Sequence, residues 1–528
     1  MRYYGKVPGY YVENFGCRAT QADGAALERQ FEEQGLARAA NPTQASVVVL
    51  NTCTVTTGAD QDARAAIRRV RRQNPEARIV VTGCYAQRAP EELAALAGVD
   101  LVIGNSHKHQ LAEIVGSSAP QSGDFGWRSA SSAANNAVVG DRSSAPAVPG
   151  FIPLSTIAAQ AGSPIYVSDI FAHTELLAAP VFDAANERTR PNLKIQDGCD
   201  NRCSFCVIPY VRGQSRSLHV NRIIGEVNTL VEAGYREVVI SGINLGRWGR
   251  DMGSTTAHGG TAAFGCQPEQ NSPPSALSGL RKPDAESREP AFRTPDTRRL
   301  TPALPHLIRT ILNETSLEKL RISSVEPMDW SDDLIDLVAS SSRIAKHAHV
   351  PMQSGSDAVL RRMHRKYRPW HYREKIEKIR AAMPDAAIGA DVMVGFPGES
   401  EVEFAATRRM IDELPFTYLH VFTYSPRPGT PAADMKNQVP VHVARERNRI
   451  LRELAAEKKL TFMRSFLGKS VEAITLNVIG TDANGEFTEA LTDNYLKLRL
   501  RGRHESNRWC TVSVQDAVAG SLLGVQAV

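Results

Sequence analysis

Residues 193–206 read Leu-Lys-Ile-Gln-Asp-Gly-Cys-Asp-Asn-Arg-Cys-Ser-Phe-Cys, a short strand pattern that runs directly into three closely spaced cysteines. The spacing of Cys199, Cys203 and Cys206, C-x3-C-x2-C, provides compact soft ligands suited to zinc or to an iron–sulfur cluster. A structural zinc site normally takes four protein ligands, and no fourth Cys or His lies nearby at a zinc-finger spacing. Three thiolates on a four-iron cluster leave one iron free for a small chelating ligand. The motif therefore favours a reactive iron–sulfur centre over a structural metal site.

Alternating strand and helix patterns surround this motif over residues 189–461. The predicted strands are 193–196, 237–241, 319–323, 348–351, 387–394 and 417–423, with helical patterns between them. Such an alternation predicts a partial (β/α)6 barrel, with reactive residues at the carboxyl ends of its strands. Residues 251–299 interrupt the pattern. Gly, Ser, Thr and Pro make up 21 of these 49 residues, which indicates a disordered insertion without a core of its own.

A second α/β pattern occupies residues 1–116 and predicts a parallel sheet. The buried strand Val47–Leu50 leads to Cys53, the strand at 78–82 leads to Cys84, and Cys17 follows a strand-like stretch at 10–15. Each lone cysteine is also well explained as a small buried hydrophobic residue. Because ligands bind beyond the carboxyl ends of parallel strands, we expect the three cysteines to converge as a second ligand triad.

The remaining segments differ from these α/β units. Residues 117–188 are predicted to be a low-complexity, poorly ordered linker, and residues 462–528 a small all-β domain. In residues 495–501, leucines occupy one face of a predicted strand and a basic, aromatic set occupies the other, suited to RNA phosphates and stacking. That set is Tyr495, Lys497, Arg499 and Arg501. A second basic patch, equally well explained as a solvated helix face, comprises Arg64, Arg68, Arg69, Arg71 and Arg72.

Length and charge set broader limits. At about 150 residues per domain, 528 residues imply three or four domains and exclude a single small binding module. The 62 Lys and Arg exceed the 57 Asp and Glu, and a net charge of +5 permits a nucleic-acid partner without requiring one. No secretory segment or membrane-spanning run is expected, so we predict a cytoplasmic protein with reduced cysteines. Cys266 is predicted to be an incidental thiol and Cys510 to lie in the β-domain core.

The cysteine motif, with an aromatic residue before its last cysteine, resembles that of the radical S-adenosylmethionine (SAM) enzymes. Further motifs resemble the methylthiotransferases within that group. They are Asn-Phe-Gly-Cys at 14–17, Asn-Thr-Cys-Thr-Val-Thr at 51–56, Gly-Cys-Tyr-Ala-Gln at 83–87, Val-Pro-Met-Gln-Ser-Gly-Ser-Asp at 350–357 and Gly-Phe-Pro-Gly-Glu at 395–399. The carboxyl end resembles the small RNA-binding β-barrel (TRAM) of that family.

This resemblance implies three folded domains: an amino-terminal parallel-sheet α/β domain, a radical SAM partial barrel and a TRAM barrel. It implies two 4Fe–4S clusters, one on Cys17, Cys53 and Cys84 and one, which binds SAM, on Cys199, Cys203 and Cys206. It also implies SAM contacts at Gly242, Gln353, Ser354 and Gly395. An ordinary barrel turn explains Gly395 equally well.

The details of the motifs resemble the branch that modifies N6-threonylcarbamoyladenosine at tRNA position 37. Lys-Ile-Gln-Asp-Gly-Cys at 194–199 is one such detail. The resemblance implies a methylthio group added to adenine C2, with electron and sulfur donors that the sequence does not identify. The alternatives are a methylthiotransferase of isopentenyladenosine in tRNA or of a ribosomal protein aspartate. A different class, a non-catalytic iron–sulfur RNA-binding protein, would not need two triads with open iron positions.

Overall fold

A computed structural model describes residues 9–117, 163–173, 176, 190–252, 304–483, 485–518 and 520–527. Cys266 and most of the two low-complexity stretches lie outside these ranges, so the predictions made for them do as well. Within the described residues, no helix is both long and apolar enough to cross a membrane.

The amino-terminal domain is a six-stranded parallel sheet in the order β2-β1-β3-β4-β5-β6. Its strands are β1 Gly9–Asn14, β2 Ala37–Arg38, β3 Val47–Thr52, β4 Arg78–Gly83, β5 Leu101–Gly104 and β6 Ile165–Tyr166. Its helices are α1 Arg18–Glu33, α2 Thr57–Gln73, α3 Cys84–Arg88, α4 Pro90–Ala94 and α5 Leu111–Ser117. Every residue of β3 is buried, as expected for a central strand covered on both faces by helices.

The sixth strand corrects one prediction. Residues 163–173 belong to the segment 117–188 that was predicted to be a poorly ordered linker. Instead, Ile165–Tyr166 pairs in parallel with β5, and the Ser163 hydroxyl donates to the Val99 carbonyl. The Asp169 side chain then caps a short 3-10 turn at 170–172. A strand of two residues is too short to show the alternation that identifies strands in a sequence. The sequence pattern therefore could not predict this edge strand.

The central domain has six parallel strands, which confirms the predicted partial barrel. They are β7 Asn192–Asp197, β9 Glu237–Gly242, β10 Lys319–Ile322, β11 His347–His349, β12 Ala387–Val394 and β13 Tyr418–Thr423; β8, Arg216–Ser217, pairs antiparallel with β7. Hydrogen bonding forms two sheets, β10-β9-β7-β8 and β11-β12-β13, which single bridges join at Leu320–Ile344 and Ser324–His349. Among the described strands β13 pairs only with β12, so the barrel is open.

Helices cover the outside of this barrel. They are α6 Ile208–Arg212, α7 Val220–Glu232, α8 Leu304–Glu314, α9 Asp332–Ser340, α10 Asp357–Arg362, α11 Pro369–Ala382, α12 Glu401–Glu413 and α13 Val441–Arg464. The largest apolar core of the molecule lies between the strands and these helices. The core leaves the carboxyl ends of the strands available for a site.

The carboxyl-terminal domain is a closed five-stranded barrel in the order β14-β15-β16-β18-β17. Its strands are β14 Ser470–Asp482, β15 Gly485–Thr492, β16 Lys497–Arg501, β17 Trp509–Val518 and β18 Ser521–Gln526. The predicted start of this domain at residue 462 falls within helix α13, which continues to Arg464. The last turn of the helix packs Met463 into the barrel core. Cys510 packs partly buried against that core, as predicted.

Candidate functional site

A cavity of about 530 Å³ opens at the carboxyl ends of the barrel strands, and all three domains line it. The amino-terminal domain contributes Cys17 and Arg18. The barrel contributes Cys199, Cys203 and Cys206, together with residues that follow β9, β10 and β11, and the carboxyl-terminal domain contributes Tyr495. The structure therefore places a member of the amino-terminal triad on the same cavity as the C-x3-C-x2-C motif.

The cysteines of residues 199–206 form a loop that begins directly after β7. Gly198 has φ +70°, and a Cβ there would lie 1.8 Å from the Gln214 carbonyl oxygen, so only glycine fits this turn. The Cys199 amide donates to the Gly213 carbonyl at 3.0 Å and the Cys206 amide to the Cys203 carbonyl at 3.1 Å. These backbone bonds hold all three thiols toward the cavity.

Polar neighbours contact two of these sulfur atoms. The Cys199 Sγ accepts from the Asn201 amide at 3.4 Å and from Asn244 Nδ2 at 3.7 Å. The Cys203 Sγ accepts from Arg365 Nη1 at 3.2 Å. Donors of this kind stabilise thiolate sulfur and tune metal centres. The contacts therefore suit ionised cysteines that ligate a cluster.

The ionisation of the thiols also fits a soft-metal cluster. Burial, with a further contribution from Cys203, raises the pKa of Cys206 to about 12, and burial raises the pKa of Cys199. These thiols become thiolates only when a metal replaces their protons. No group of three His, Cys, Asp or Glu among the described residues is close enough to hold a single metal ion. Three thiols in one loop are a donor set that an iron–sulfur cluster takes, so the residues present fit a cluster.

The second triad forms at the ends of neighbouring elements of the amino-terminal sheet. Cys17 precedes α1, Cys53 follows β3, and Cys84 follows β4 as the first residue of α3. Thr52 pairs with Gly83 in the sheet, so Cys53 and Cys84 follow paired residues. Burial raises the pKa of Cys53 to about 12, and the charges of Cys84 and Cys17 contribute to the shift. A Cβ on Gly16 would lie 2.9 Å from the Cys53 Sγ. The structure thus brings the predicted triad together, while its role as ligand stays a prediction.

A cluster of charged side chains lies buried between the amino-terminal domain and the barrel. Arg212 donates to Asp23 at 3.0 Å and to both oxygens of Asp197 at 3.0 Å. Lys108 bonds Asp23 at 3.1 Å, and Lys194 bonds Asp197 at 2.8 Å and also pairs with Asp23. Burial opposes ionisation of Asp23, but Arg212, Lys108 and Lys194 outweigh it and hold the pKa of this carboxyl below its usual range. Arg216, 4.0 Å from Asp197, adds a further buried cation, so four cations face two carboxylates and a surplus of positive charge lies near Cys84.

We expect an Asp23→Ala substitution to lower the free energy of unfolding by about 3–5 kcal/mol, because it leaves buried cations without a counter-charge. Urea unfolding of the variant and the wild type measures this difference. The matched control is Asp333→Ala, which removes an exposed partner of Arg309 and should cost less than about 1 kcal/mol. Equal stability of Asp23→Ala and wild type would show that this network does not hold the two domains together.

Two of the four predicted SAM contacts line the cavity and two do not. Gly242, at the end of β9, and Gln353 lie on the cavity wall. Gln353 has φ +61°, a strained backbone conformation of the kind found at functional positions. Ser354 and Gly395 do not line this wall, and their predicted role as SAM contacts stays a prediction. The Ser354 hydroxyl is buried against Thr407 at 3.1 Å, and Gly395 forms the turn in which its amide donates to Glu399 at 2.6 Å.

The predicted basic strand face is also corrected. Lys497, Arg499 and Arg501 do lie on β16 with the leucines buried behind them. Tyr495 precedes the strand, with φ +69°, and lines the cavity instead. Its hydroxyl accepts from Arg18 Nη2 at 3.3 Å, and the Arg321 guanidinium lies 5.3 Å from its ring centroid. Asp482 pairs with Arg501 at 2.7 Å and lies 3.7 Å from Arg499, so Lys497 is the exposed cation of this strand.

The helical patch on α2 is largely neutralised. Arg64 pairs with Glu92, Arg69 with Glu13 at 2.5 Å, and Arg71 with Asp100. Among the described residues, only Arg68 and Arg72 of this patch have no acidic partner. These pairs favour the interpretation as a solvated face.

The sequence patterns missed a wall of histidine and tyrosine side chains on one side of the cavity. The His347 Nε2 contacts the Tyr418 hydroxyl at 2.7 Å, and the His347 ring lies 4.6 Å from that of Tyr495. His349 Nδ1 contacts Ser324 Oγ at 2.6 Å. His420 completes this wall. Alternation of His347 and His349 along β11, and of Tyr418 and His420 along β13, was the available indication, because alternate residues of a strand share a face.

Comparisons with known proteins agree with this arrangement. The model of "Uncharacterized protein family UPF0004" matches residues 9–104, and the "Radical SAM superfamily" model matches residues 268–411, a range that does not include the cysteine motif. A "Threonylcarbamoyladenosine tRNA methylthiotransferase MtaB" of Aquifex aeolicus is 31% identical over 95% of this chain and 99% of its own. One of Bacillus subtilis is 32% identical over 93% of this chain and 90% of its own. A "tRNA-2-methylthio-N(6)-dimethylallyladenosine synthase" of Endomicrobium trichonymphae is 27% identical over 98% of this chain and 99% of its own.

Proposed function

The chain belongs to the MtaB-type methylthiotransferase family, and from this premise we propose that it adds a methylthio group to C2 of N6-threonylcarbamoyladenosine at position 37 of tRNA. One observation carries the proposal: Cys17 of the amino-terminal triad and all of Cys199, Cys203 and Cys206 line one cavity. Two triads that served separate structural roles would have no reason to share a cavity.

The reaction explains why two centres are needed. The C2–H bond of adenine is not acidic, so a side-chain base cannot remove its hydrogen. Cys199, Cys203 and Cys206 would hold a 4Fe–4S cluster with SAM, which would supply radical chemistry at this bond. Cys17, Cys53 and Cys84 would hold a second cluster, which would carry the sulfur received from the sulfur donor, with the methyl group coming from another SAM. The protein must bring the adenine between the two triads and keep water away.

The chain's own residues suit these tasks. Arg365 and Asn244 donate to the sulfur atoms of the cysteine loop and fix their orientation. The aromatic rings of Tyr418 and Tyr495 offer flat faces on which an adenine can stack. Residues of all three domains line the cavity, so the bound tRNA itself would complete the exclusion of water from the reacting atoms.

SAM would occupy the side of the cavity formed by β9 and the residues after β11. Gly242 and Gln353 line it, and the buried Ser241 Oγ and Asn244 Oδ1 have no hydrogen-bond partner among the described residues. Buried polar atoms without partners cost free energy unless a ligand satisfies them. They therefore support a polar ligand bound beside Cys199.

Binding of the tRNA itself would use the carboxyl-terminal barrel. Lys497 is exposed on β16, where it can reach phosphate oxygens, and Arg499 and Arg501 lie beside it on the same face with Asp482 next to them. Tyr495, which was predicted to belong to that face, would contact the modified base instead. Because tRNA is found in the cytoplasm, we place the activity there. The electron donor and the sulfur donor are separate partners.

Nucleoside analysis tests the proposed function. Reconstituted protein, SAM and dithionite are incubated with two anticodon stem-loop RNAs that differ only in carrying threonylcarbamoyladenosine or dimethylallyladenosine. We expect 2-methylthio-threonylcarbamoyladenosine by mass spectrometry, with little product from the second RNA. Methylthiolation of the dimethylallyl RNA alone would place the chain in the other tRNA branch. Absence of 5′-deoxyadenosine from protein with full iron content would support a non-catalytic RNA-binding protein.

A further inference from the structure

The cavity wall carries one arginine–carboxylate pair and one contact between a histidine and a carboxylate. Arg365 pairs with Glu326, and His349 Nε2 lies 3.4 Å from Asp391 Oδ1. Arg18 also lines the cavity, and no acidic partner for it exists among the described residues. Of the two arginines on the wall, Arg18 is therefore the one that no carboxylate pairs with among the described residues. A ligand with a single negative charge at that place would balance it.

Arg18 is held in position at the entrance to α1. It is the first residue of that helix, directly after Cys17, and its Nη2 donates to the Tyr495 hydroxyl at 3.3 Å. The first turn of α1 contains no acidic residue, and the Cys17 side chain makes no capping bond. The amino-terminal end of the helix dipole therefore adds to the positive potential at this point.

The loop that carries Tyr495 is itself fixed. The Thr492 hydroxyl bonds Asn494 at 2.6 Å, and Asn494 Nδ2 donates to the Asp385 carbonyl of the central domain at 2.8 Å. Arg321 Nη1 donates to the Asp493 carbonyl at 3.1 Å. Tyr495 is thus held at the cavity, where its hydroxyl can orient the Arg18 guanidinium.

The histidine next to this group does not supply the charge. Burial, followed by the charges of Arg321 and His349, lowers the pKa of His347 well below its usual value. Neutral His347 lies under the Tyr495 ring and forms part of the stacking wall. Arg18 is therefore the cation that faces the region between the wall and Cys17.

We propose that Arg18 binds the carboxylate of the threonylcarbamoyl group, with Tyr495 as the residue that positions it. This inference rests on the proposed function and concerns how the same site selects its substrate. Threonylcarbamoyl ends in a carboxylate, whereas dimethylallyl is an uncharged hydrocarbon. A cation built into the site rejects the hydrocarbon because the cation would lose solvation without gaining a partner. An Arg–carboxylate pair is also a strong, directional contact.

Binding of two stem-loop RNAs tests the proposal. One carries threonylcarbamoyladenosine with its free carboxylate, and the other carries the corresponding carboxamide. We expect cluster-loaded wild type to bind the acid about 10- to 100-fold more tightly than the amide, as for hydrogen bonds to charged groups. Arg18→Gln should bind both RNAs equally, Arg18→Lys should keep part of the preference, and Tyr495→Phe should reduce it. The matched control is Arg408→Gln, an exposed arginine of α12 that should keep the full preference.

The other anions that Arg18 might meet give different results. If it contacts a phosphate, Arg18→Gln weakens binding of acid and amide RNAs equally and the ratio stays that of wild type, which overturns the proposal. If it contacts the SAM carboxylate, the variant weakens SAM binding and leaves the ratio unchanged, which overturns the proposal as well. Should Arg18→Gln lose iron because of its neighbour Cys17, Arg18→Lys and Tyr495→Phe decide, and an unchanged ratio in both overturns the proposal. Wild type that methylthiolates neither RNA would instead reject the proposed function, whatever the binding ratio.

Discussion

A Cys199→Ala variant should form no measurable 5′-deoxyadenosine from SAM, although the protein stays folded. Cys199 is one of three cysteines whose orientation is fixed by the backbone: Gly198 turns the chain, and the Cys199 amide bonds the Gly213 carbonyl at 3.0 Å. Two remaining thiolates cannot hold a four-iron cluster in the arrangement that leaves an iron open for SAM. The measurement is chromatography of the reduced reaction, together with the iron content of the purified protein.

The control for this experiment is Cys510→Ala. That thiol is half-buried in the carboxyl-terminal barrel, where it donates to the Ala473 carbonyl at 3.5 Å, and it does not line the cavity. We expect wild-type iron content and wild-type 5′-deoxyadenosine formation. Normal cleavage of SAM by Cys199→Ala would show that another set of residues holds the radical centre.

The cysteines could be placed from the sequence because each follows a strand. Parallel strands end at a common edge, so residues directly after them meet even when they are far apart in the chain. This reasoning located Cys53 and Cys84 at the ends of β3 and β4. The six barrel strands were predicted from the alternation of strand and helix patterns along residues 189–461.

The rest of the cavity depends on contacts that no local pattern encodes. Tyr495 continues the alternation of β16, yet its φ of +69° turns it out of the strand and toward Arg18. Only the docking of the carboxyl-terminal barrel on the central domain determines that position. Ser354 and Gly395 lie in motifs beside the cavity, but their bonds to Thr407 and Glu399 direct them into the packing.

Charge illustrates the same limit. The sequence places Arg499 and Arg501 on one face of a strand, but only the fold shows that Asp482 lies next to both. Conversely, Arg18 belongs to no basic cluster in the sequence. Only the fold shows that it lines the cavity and has no carboxylate partner there among the described residues. A side chain's electrostatic role therefore depends on its neighbours in space rather than on its neighbours in the chain.

A Cys53→Ala variant should separate the two activities in the opposite way from Cys199→Ala. We expect 5′-deoxyadenosine formation to continue, methylthiolation of RNA to stop, and iron content to fall by about half, as for loss of one of two equal clusters. Cys53 is a buried member of the amino-terminal triad, of which only Cys17 lines the cavity. The wall around Cys199 therefore stays intact when Cys53 is removed. Mass spectrometry of the RNA and of 5′-deoxyadenosine in one reaction measures both outcomes.

The same reaction discriminates between one shared centre and two separate ones. If the two triads worked only as one shared centre, the Cys53→Ala protein would also fail to form 5′-deoxyadenosine. That result, in a protein whose unfolding matches that of Cys510→Ala, would contradict the assignment of sulfur chemistry to the amino-terminal triad. Separate losses are expected because each triad has its own backbone support. Cys53 follows β3 in the amino-terminal sheet and Cys199 follows β7 in the barrel, and the two sheets share no strand.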